Sequence, residues 1–182
     1  TSSIENEIDE IIYKALNLSL REQYLIEDVF NYSIDLFQEG ENSRALLPIN
    51  RDGNELKDYL NILCEDINEH YEFSDTRVWA STWEMPSTIQ MQLVAIHFTN
   101  DYKAGYLHTF KSSEEINKLI QIIDKYSYEK YSASVYFRKV VKYYKEDIIY
   151  IIKPNQKRFW SRSEAMQDSN SILLEIINSE GE

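Results

Sequence analysis

The sequence predicts an α+β domain in which N-terminal helices precede two ββα units with an antiparallel sheet of about four strands. Two patterns predict this class. Apolar residues recur at helical spacing through residues 4–70, and the chain then changes to paired runs of β-branched and aromatic residues. Each pair of runs is followed by a helix-capping sequence. Helices followed by hairpins are typical of α+β domains.

Three helices are predicted before residue 71. The first covers residues 4–16, where acidic side chains occupy the first turns and suit the helix dipole. The capping box Ser19-Leu-Arg-Glu22 begins the second helix, and Gly40 suits its end. A polar loop over 41–50 leads to a third helix from about Asn54 to His70. Two ridges predict a broad buried face on the second helix: Leu25/Val29/Tyr32/Leu36 and Ile26/Phe30/Ser33/Phe37.

Two hairpins are predicted after the helices. The first pairs residues 77–83 with 90–99, because both runs are rich in β-branched and aromatic side chains. The second pairs 135–144 with 148–152 across a short charged turn. Pro154 ends that strand because proline cannot donate to a sheet ladder.

Capping boxes at Ser112 and Ser161 predict a helix after each hairpin. The change in pattern near residue 72 divides the chain into an acidic helical part, 1–72, and an α+β part, 73–182. Both parts are short enough to form one compact unit.

Composition excludes several classes of protein. No apolar run reaches the length of a membrane span, so no membrane partner is expected. The single cysteine, Cys64, permits no disulfide within the chain, which favours a reducing, cytoplasmic location. The N-terminus has neither an initiator Met nor a signal-peptide pattern, and we interpret the chain as an excerpt of a longer protein or as a chain with a trimmed end.

Catalytic and cofactor motifs are absent from the sequence. The four glycines are too far apart for a phosphate-binding loop, and the three histidines have no metal-ligand spacing. His97 lies in an apolar run and is interpreted as a core or half-buried histidine. Cys64 and His70 cannot act as a nucleophile and its base, because they point to different faces of one helix. Adjacent carboxylates such as Glu27-Asp28 are typical of solvated helix faces. We therefore expect no enzyme activity, no cofactor and no metal in this fragment.

The charge is unevenly distributed. The whole chain carries −12, and residues 1–80 hold 6 basic against 18 acidic side chains. Residues 130–162 hold 9 basic and 2 acidic side chains, a local balance of +7. Basic residues interleaved with aromatic ones suit a phosphate backbone with stacked bases. The candidate DNA-contact residues are Arg138, Lys142, Lys153, Asn155, Lys157, Arg158, Trp160 and Arg162.

Two other interpretations of this segment stay open. In the simpler one, 148–152 is a core strand, Phe159 and Trp160 anchor the last helix, and the lysines form a solvated rim. In the other, the segment is a protein-binding surface. Composition does not decide among the three.

The run from Asp147 to Asp168 resembles the C-terminal region of large bacterial restriction-modification and phage-defence adenine DNA methyltransferases, and residues 16–30 are similar to their preceding helical part. The catalytic Asn-Pro-Pro-Tyr/Phe motif and the glycine-rich turn for S-adenosylmethionine do not occur here. The resemblance therefore implies a non-catalytic accessory or target-recognition module of a DNA-modifying defence protein. It would bind DNA through residues 130–162 and a methyltransferase or other protein domain through residues 1–80.

A second hypothesis is an acidic protein-interaction module, of inhibitor or immunity type, that makes no nucleic-acid contact. Its negative helices would face a basic partner. The two hypotheses differ in whether salt-sensitive DNA binding depends on Lys153, Lys157 and Arg158.

Overall fold

The computed structural model describes residues 3–50, 54–83, 91–100, 107–110 and 141–180. The α-helices are α1 (Ser3–Ala15), α2 (Leu20–Asp28), α3 (Asp35–Glu39), α4 (Glu55–His70) and α5 (Arg162–Glu180). The strands are β1 (Arg77–Trp83), β2 (Met91–Thr99), β3 (Leu107–Phe110), β4 (Val141–Lys145) and β5 (Ile148–Pro154). The predicted α+β class is confirmed.

The helix boundaries follow local chemistry. At α2, the Ser19 hydroxyl accepts from the main-chain N–H of Glu22, and the Glu22 carboxylate accepts from the Ser19 N–H at 2.8 Å. This reciprocal capping box satisfies two of the donors that a helix start leaves unpaired. Gly40 ends α3 with a φ of +55°, which a residue without Cβ adopts at little cost. Both boundaries were predicted from the sequence.

The strands form one sheet with the order β3-β1-β2-β5-β4. The pairs β1–β2, β2–β5 and β5–β4 are antiparallel, which confirms the four-stranded antiparallel sheet, the first predicted hairpin and, from residue 141 on, the second. The short β3 joins the edge in parallel with β1, and the sequence patterns did not predict it.

The core lies between one sheet face and the helices α4 and α5. Helix α4 contributes Leu60, Leu63, Cys64 and Ile67, and also Tyr59, which is fully buried. The sheet contributes alternate residues of β1, β2 and β5, as expected where one strand face meets helices. The principal members are Tyr59, Leu60, Leu63, Ile67, Val78, Val94, Ile96, Ile149, Ile151, Trp160 and Ile172.

The predicted buried face of the second helix is wrong. Leu25 is 43%, Val29 48%, Phe30 61% and Phe37 90% exposed. A π-helical turn over Val29–Ile34 interrupts the α-helix, so residues four apart no longer stack in continuous ridges. The predicted loop over 41–50 also contains two 3₁₀ turns.

Some predictions fall outside the described residues. These are the helix that begins at Ser112, the part of the second hairpin before residue 141, and Arg138. The domain boundary at residues 72 and 73 stays a prediction.

Candidate functional site

Most of the residues predicted to contact DNA lie at the junction between β5 and α5. Lys153 is fully buried there. Its ammonium donates to the Asp168 carboxylate on α5 and, at 3.0 Å, to the main-chain carbonyl of Phe159. A buried cation requires such partners because burial strips its hydration shell. Lys153 ties β5 to α5 and offers no surface to a phosphate.

Aromatic rings complete the surroundings of Lys153. Its Nζ lies 4.8 Å from the Tyr59 ring centroid and 5.5 Å from that of Trp160. The Tyr59 hydroxyl donates to Asp168 at 2.7 Å, and burial together with the Asp168 charge raises the pKa of Tyr59 well above its usual value. The two rings meet edge to face at 5.0 Å.

Trp160 anchors the last helix, as the simpler interpretation of this segment expected. Its ring is fully buried, and Nε1 donates to the Pro154 carbonyl at 2.9 Å. A base stacks only on an exposed ring face. Trp160 therefore has no surface for stacking.

Lys142 and Lys157 form ion pairs with residues on helices. The Lys142 ammonium on β4 donates to Ser171 at 2.7 Å and to Glu175 at 3.0 Å on α5. Lys157 lies 2.6 Å from Glu55 at the start of α4. Each cation is offset locally by a carboxylate, which weakens the positive field that would attract a nucleic acid.

Arg162 joins the N-terminal helices to α5. Its guanidinium lies 2.7 Å from the Glu27 carboxylate, 3.3 Å from that of Asp28, and 4.1 Å from the centre of the Tyr24 ring. Asp28 also accepts from the main-chain N–H of Ser163 at 2.7 Å. This carboxylate caps the first turn of α5, and its negative charge interacts favourably with the positive end of the helix dipole.

Asn155 and Arg158 are half-buried and bonded within the fold. The Asn155 side-chain oxygen accepts from the main-chain N–H of Ile49 at 3.1 Å. Arg158 donates to Gln156 at 3.1 Å and lies 4.5 Å from the Phe159 ring centre. Among the described candidates, Lys153 and Trp160 are in the core and the others are half-buried, so these residues do not form one exposed basic surface.

A serine–histidine pair lies on β1 and β2. Ser81 Oγ and His97 Nε2 share a 2.7 Å hydrogen bond, and the His97 ring stacks on Trp79 with centroids 4.0 Å apart. This distance suits a nucleophile and its base, but Ser81 has no exposed surface with which to meet a substrate. His97 is the half-buried histidine that the sequence predicted.

Neither an exposed thiol nor a cluster of metal-ligating side chains is found among the described residues. Cys64 is buried in the core, and burial raises the pKa of its thiol, so the reactive thiolate is suppressed. Within residues 3–50, 54–83, 91–100, 107–110 and 141–180, no cluster of three acidic, histidine or cysteine side chains could hold a metal ion. In the same ranges, no helix is long and apolar enough to cross a membrane.

The most unusual surface is on α1. Its apolar residues recur with the four-three spacing of a helix–helix seam, yet they face solvent. The exposed members are Ile4 at 67%, Ile8 at 50%, Ile11 at 66%, Ile12 at 44% and Leu16, just after the helix, at 65%. We call these five residues the α1 stripe. Contiguous apolar surface of this kind marks an interaction site in a folded protein.

The orientation of α1 explains this exposure. Among the α1 residues whose burial is described, Tyr13, on the side away from the stripe, is the partly buried one. Burial and then the charge of Glu27 on α2 raise the pKa of Tyr13. The body of the protein therefore meets the Tyr13 side of the helix. At about 100° per residue, Glu7 and Asp9 lie just outside opposite edges of the stripe.

The apolar spacing of α1 is visible in the sequence, but its outward orientation is not. Helical periodicity predicts that a face is apolar, and it says nothing about which neighbour covers it. The acidic flanks were the available signal, since carboxylates on both sides of a stripe disfavour packing against an acidic body.

Comparisons with protein-family models, with curated proteins and with solved structures found no match to this chain.

Proposed function

We propose that the chain is a non-catalytic protein-interaction module that docks a partner protein on the α1 stripe. The carrying observation is the solvent exposure of five large aliphatic side chains on one helix face. Leaving such a side chain fully in water costs roughly 1.5–3 kcal/mol relative to burial, so covering the stripe stabilises a complex with a partner protein.

The positions of the basic residues also favour protein over DNA as the partner. Lys153 is buried, and Lys142, Lys157 and Arg162 face carboxylates within the fold. The proposal keeps the expectation that residues 1–80 face a protein. DNA contact by the half-buried residues of the β5–α5 junction is the competing hypothesis.

Site-specific photo-crosslinking tests the proposal. A photoreactive phenylalanine analogue replaces Ile11 in the stripe or, as a matched control, Phe73, which is 98% exposed outside α1. In native host cells, the Ile11 probe is expected to give one discrete protein adduct that the control does not give. The adduct is expected to disappear when Ile8 is replaced by Ser.

Identical adducts from both positions, or nucleic-acid adducts at a probe placed at Arg158, would contradict the proposal. Salt-series anisotropy with duplex DNA is the companion measurement, and no binding is expected at physiological salt.

A further inference from the structure

We infer that the partner segment is an amphipathic α-helix whose apolar stripe is flanked by Lys or Arg side chains. This inference rests on the proposed function and adds the chemistry of the partner. Three properties of α1 lead to it: the spacing of the stripe, the backbone of the helix, and the charges beside it.

The spacing of the stripe suits a helical partner. Ile4, Ile8 and Ile11 are separated by four and three residues, and Ala15 continues the series. Such a seam accepts side-chain knobs from a second helix that lies nearly parallel or antiparallel to it. Helix-in-groove recognition uses anchors at this same spacing.

The backbone of α1 has few free hydrogen-bonding groups with which a β-strand could pair. The interior N–H and C=O groups of a 13-residue helix are already bonded within the helix. A β-strand that adds to another protein gains its affinity from main-chain hydrogen bonds, which α1 cannot supply along its length. The partner must therefore bind through side chains.

The charges beside the stripe determine the sign of the charge that the partner helix should carry. Glu7 and Asp9 border the stripe, and α1 holds 4 acidic side chains and 1 basic side chain, a balance of 1 − 4 = −3. The basic residue, Lys14, lies 3.5 Å from Glu10 on the same helix. Basic residues at the edges of a partner helix would complete the interhelical ion pairs that set partner choice in coiled coils.

The same charges disfavour the two other occupants of an apolar helix face. A second copy of this chain would bring the −3 of α1 against the −3 of the same helix, and like charges across an interface oppose association. An anionic membrane surface would repel the flanks, since surface-binding helices carry Lys and Arg at their edges.

The test uses two synthetic peptides of about three heptads that share one Leu/Ile stripe. One peptide carries Lys at the flanking positions and the other carries Glu. Fluorescence anisotropy is measured with the wild-type chain, the stripe variant Ile8→Ser/Ile11→Ser, the flank variant Glu7→Gln/Asp9→Asn, and the control Phe73→Ser. Circular dichroism and thermal unfolding confirm that each variant keeps the fold.

The Lys-flanked peptide is expected to bind the wild-type chain and the Phe73→Ser control equally at about 0.15 M salt. Binding should fall about 100-fold in the stripe variant, because it loses two Ile side chains that the complex would bury. In the flank variant, binding should fall about three- to tenfold. The Glu-flanked peptide should bind at least about tenfold more weakly than the Lys-flanked one.

Several results would overturn the inference. Equal binding of both peptides, or no loss in the stripe variant, would show that the flanks or the stripe do not select the partner. A dimer in sedimentation velocity that the stripe variant abolishes would assign the face to a second copy. If neither peptide binds but the Ile11 photo-crosslink persists, the partner is not a basic helix and the proposed function stands. If neither peptide binds and the Ile11 photo-crosslink is also absent, the inference and the proposed function are both contradicted.

Discussion

Lys153 lies at the centre of a buried polar cluster. Its charge is balanced by Asp168, which also accepts from Tyr59, and Glu164 Oε2 lies 3.7 Å from Nζ. Breaking a buried pair leaves an uncompensated charge, whereas replacing both partners by apolar groups is often tolerated. The cluster therefore fixes how β5 meets α5 more than it adds net stability.

Replacing Asp168 with Ala is expected to lower the free energy of unfolding by about 3–5 kcal/mol, because Lys153 would remain buried without its carboxylate. Urea denaturation measures the loss. The double variant Lys153→Met/Asp168→Leu is the control and should recover most of it. Equal losses in the single and double variants would show that the site tolerates only this ion pair.

Cys64 provides a second test at the residue level. Because its side chain has no exposed surface and burial raises its thiol pKa, an aromatic disulfide reagent at neutral pH should label it only on unfolding. The labelling rate should rise steeply through the urea transition and match the loss of ellipticity. Fast labelling in native buffer would place Cys64 at the surface instead.

The burial of Lys153 could have been predicted from the strand pattern. Residues alternate between sheet faces, so Lys153 shares a face with Ile149 and Ile151, both of which are buried. Its partners could not be predicted, because Asp168 and Tyr59 lie 15 and 94 positions away and only the tertiary fold brings them together. A count of charges over 130–162 includes Lys153 among the basic residues but does not show that it points inward from a core strand.

Helix α1 is joined to the rest of the molecule mainly on its Tyr13 side. Deleting residues 1–15 is expected to change the free energy of unfolding by less than about 1 kcal/mol, since the apolar stripe contributes nothing to the core. Urea denaturation followed by tryptophan fluorescence measures this. A loss of several kcal/mol would show that α1 belongs to the folded core and that the stripe is not a free docking face.

The contact between α2 and α5 depends on Asp28. Replacing it with Ala removes the cap on the Ser163 N–H and one partner of Arg162, and a loss of about 2–4 kcal/mol is expected in urea denaturation. Replacing Glu22 with Gln, at the exposed start of α2, is the control and should cost far less. Similar losses from the two changes would contradict a specific role for Asp28.

The ion pair between Glu55 and Lys157 predicts acid sensitivity at the start of α4. Burial raises the pKa of Glu55, but hydrogen bonds from Lys157 and the backbone outweigh it and hold the pKa below its ordinary value of 4.5. A carboxyl whose pKa is depressed on folding stabilises the fold above its unfolded pKa and loses that contribution as pH falls through the folded value. Thermal unfolding should therefore show declining stability below about pH 4.5, with a smaller decline in Lys157→Met. Equal decline in both proteins would assign the acid sensitivity to other groups.

Long elements with clear signals were predictable from the sequence. Helix α4, the first hairpin and the capping box of α2 agree with their patterns, because each depends on nearby residues. The π-helical turn at Val29–Ile34 was not predictable, since it adds a residue within a helical pattern. The four-residue β3 was not predictable because it pairs with β1 from a distant position in the chain. The outward stripe was missed for the same reason: its environment is a tertiary property.

At the scale of the molecule, charge separates the two functional hypotheses. The chain carries −12, and Lys153, Lys157 and Arg162 at the β5–α5 junction each face a carboxylate within the fold. Nucleic-acid affinity at physiological salt needs several unpaired cations on one face. The resemblance to DNA-modifying defence proteins stays a prediction, and within it a protein-docking role fits the structure better than target recognition.

The most direct test of the α1 docking face is an amide chemical-shift titration of the isotopically labelled chain with the Lys-flanked peptide and, separately, with duplex DNA. The peptide is expected to perturb amides of residues 4–16 in a saturable manner, while DNA leaves the spectrum unchanged at about 0.15 M salt. Peptide perturbations confined to residues 142–162, or saturable DNA perturbations there, would contradict it.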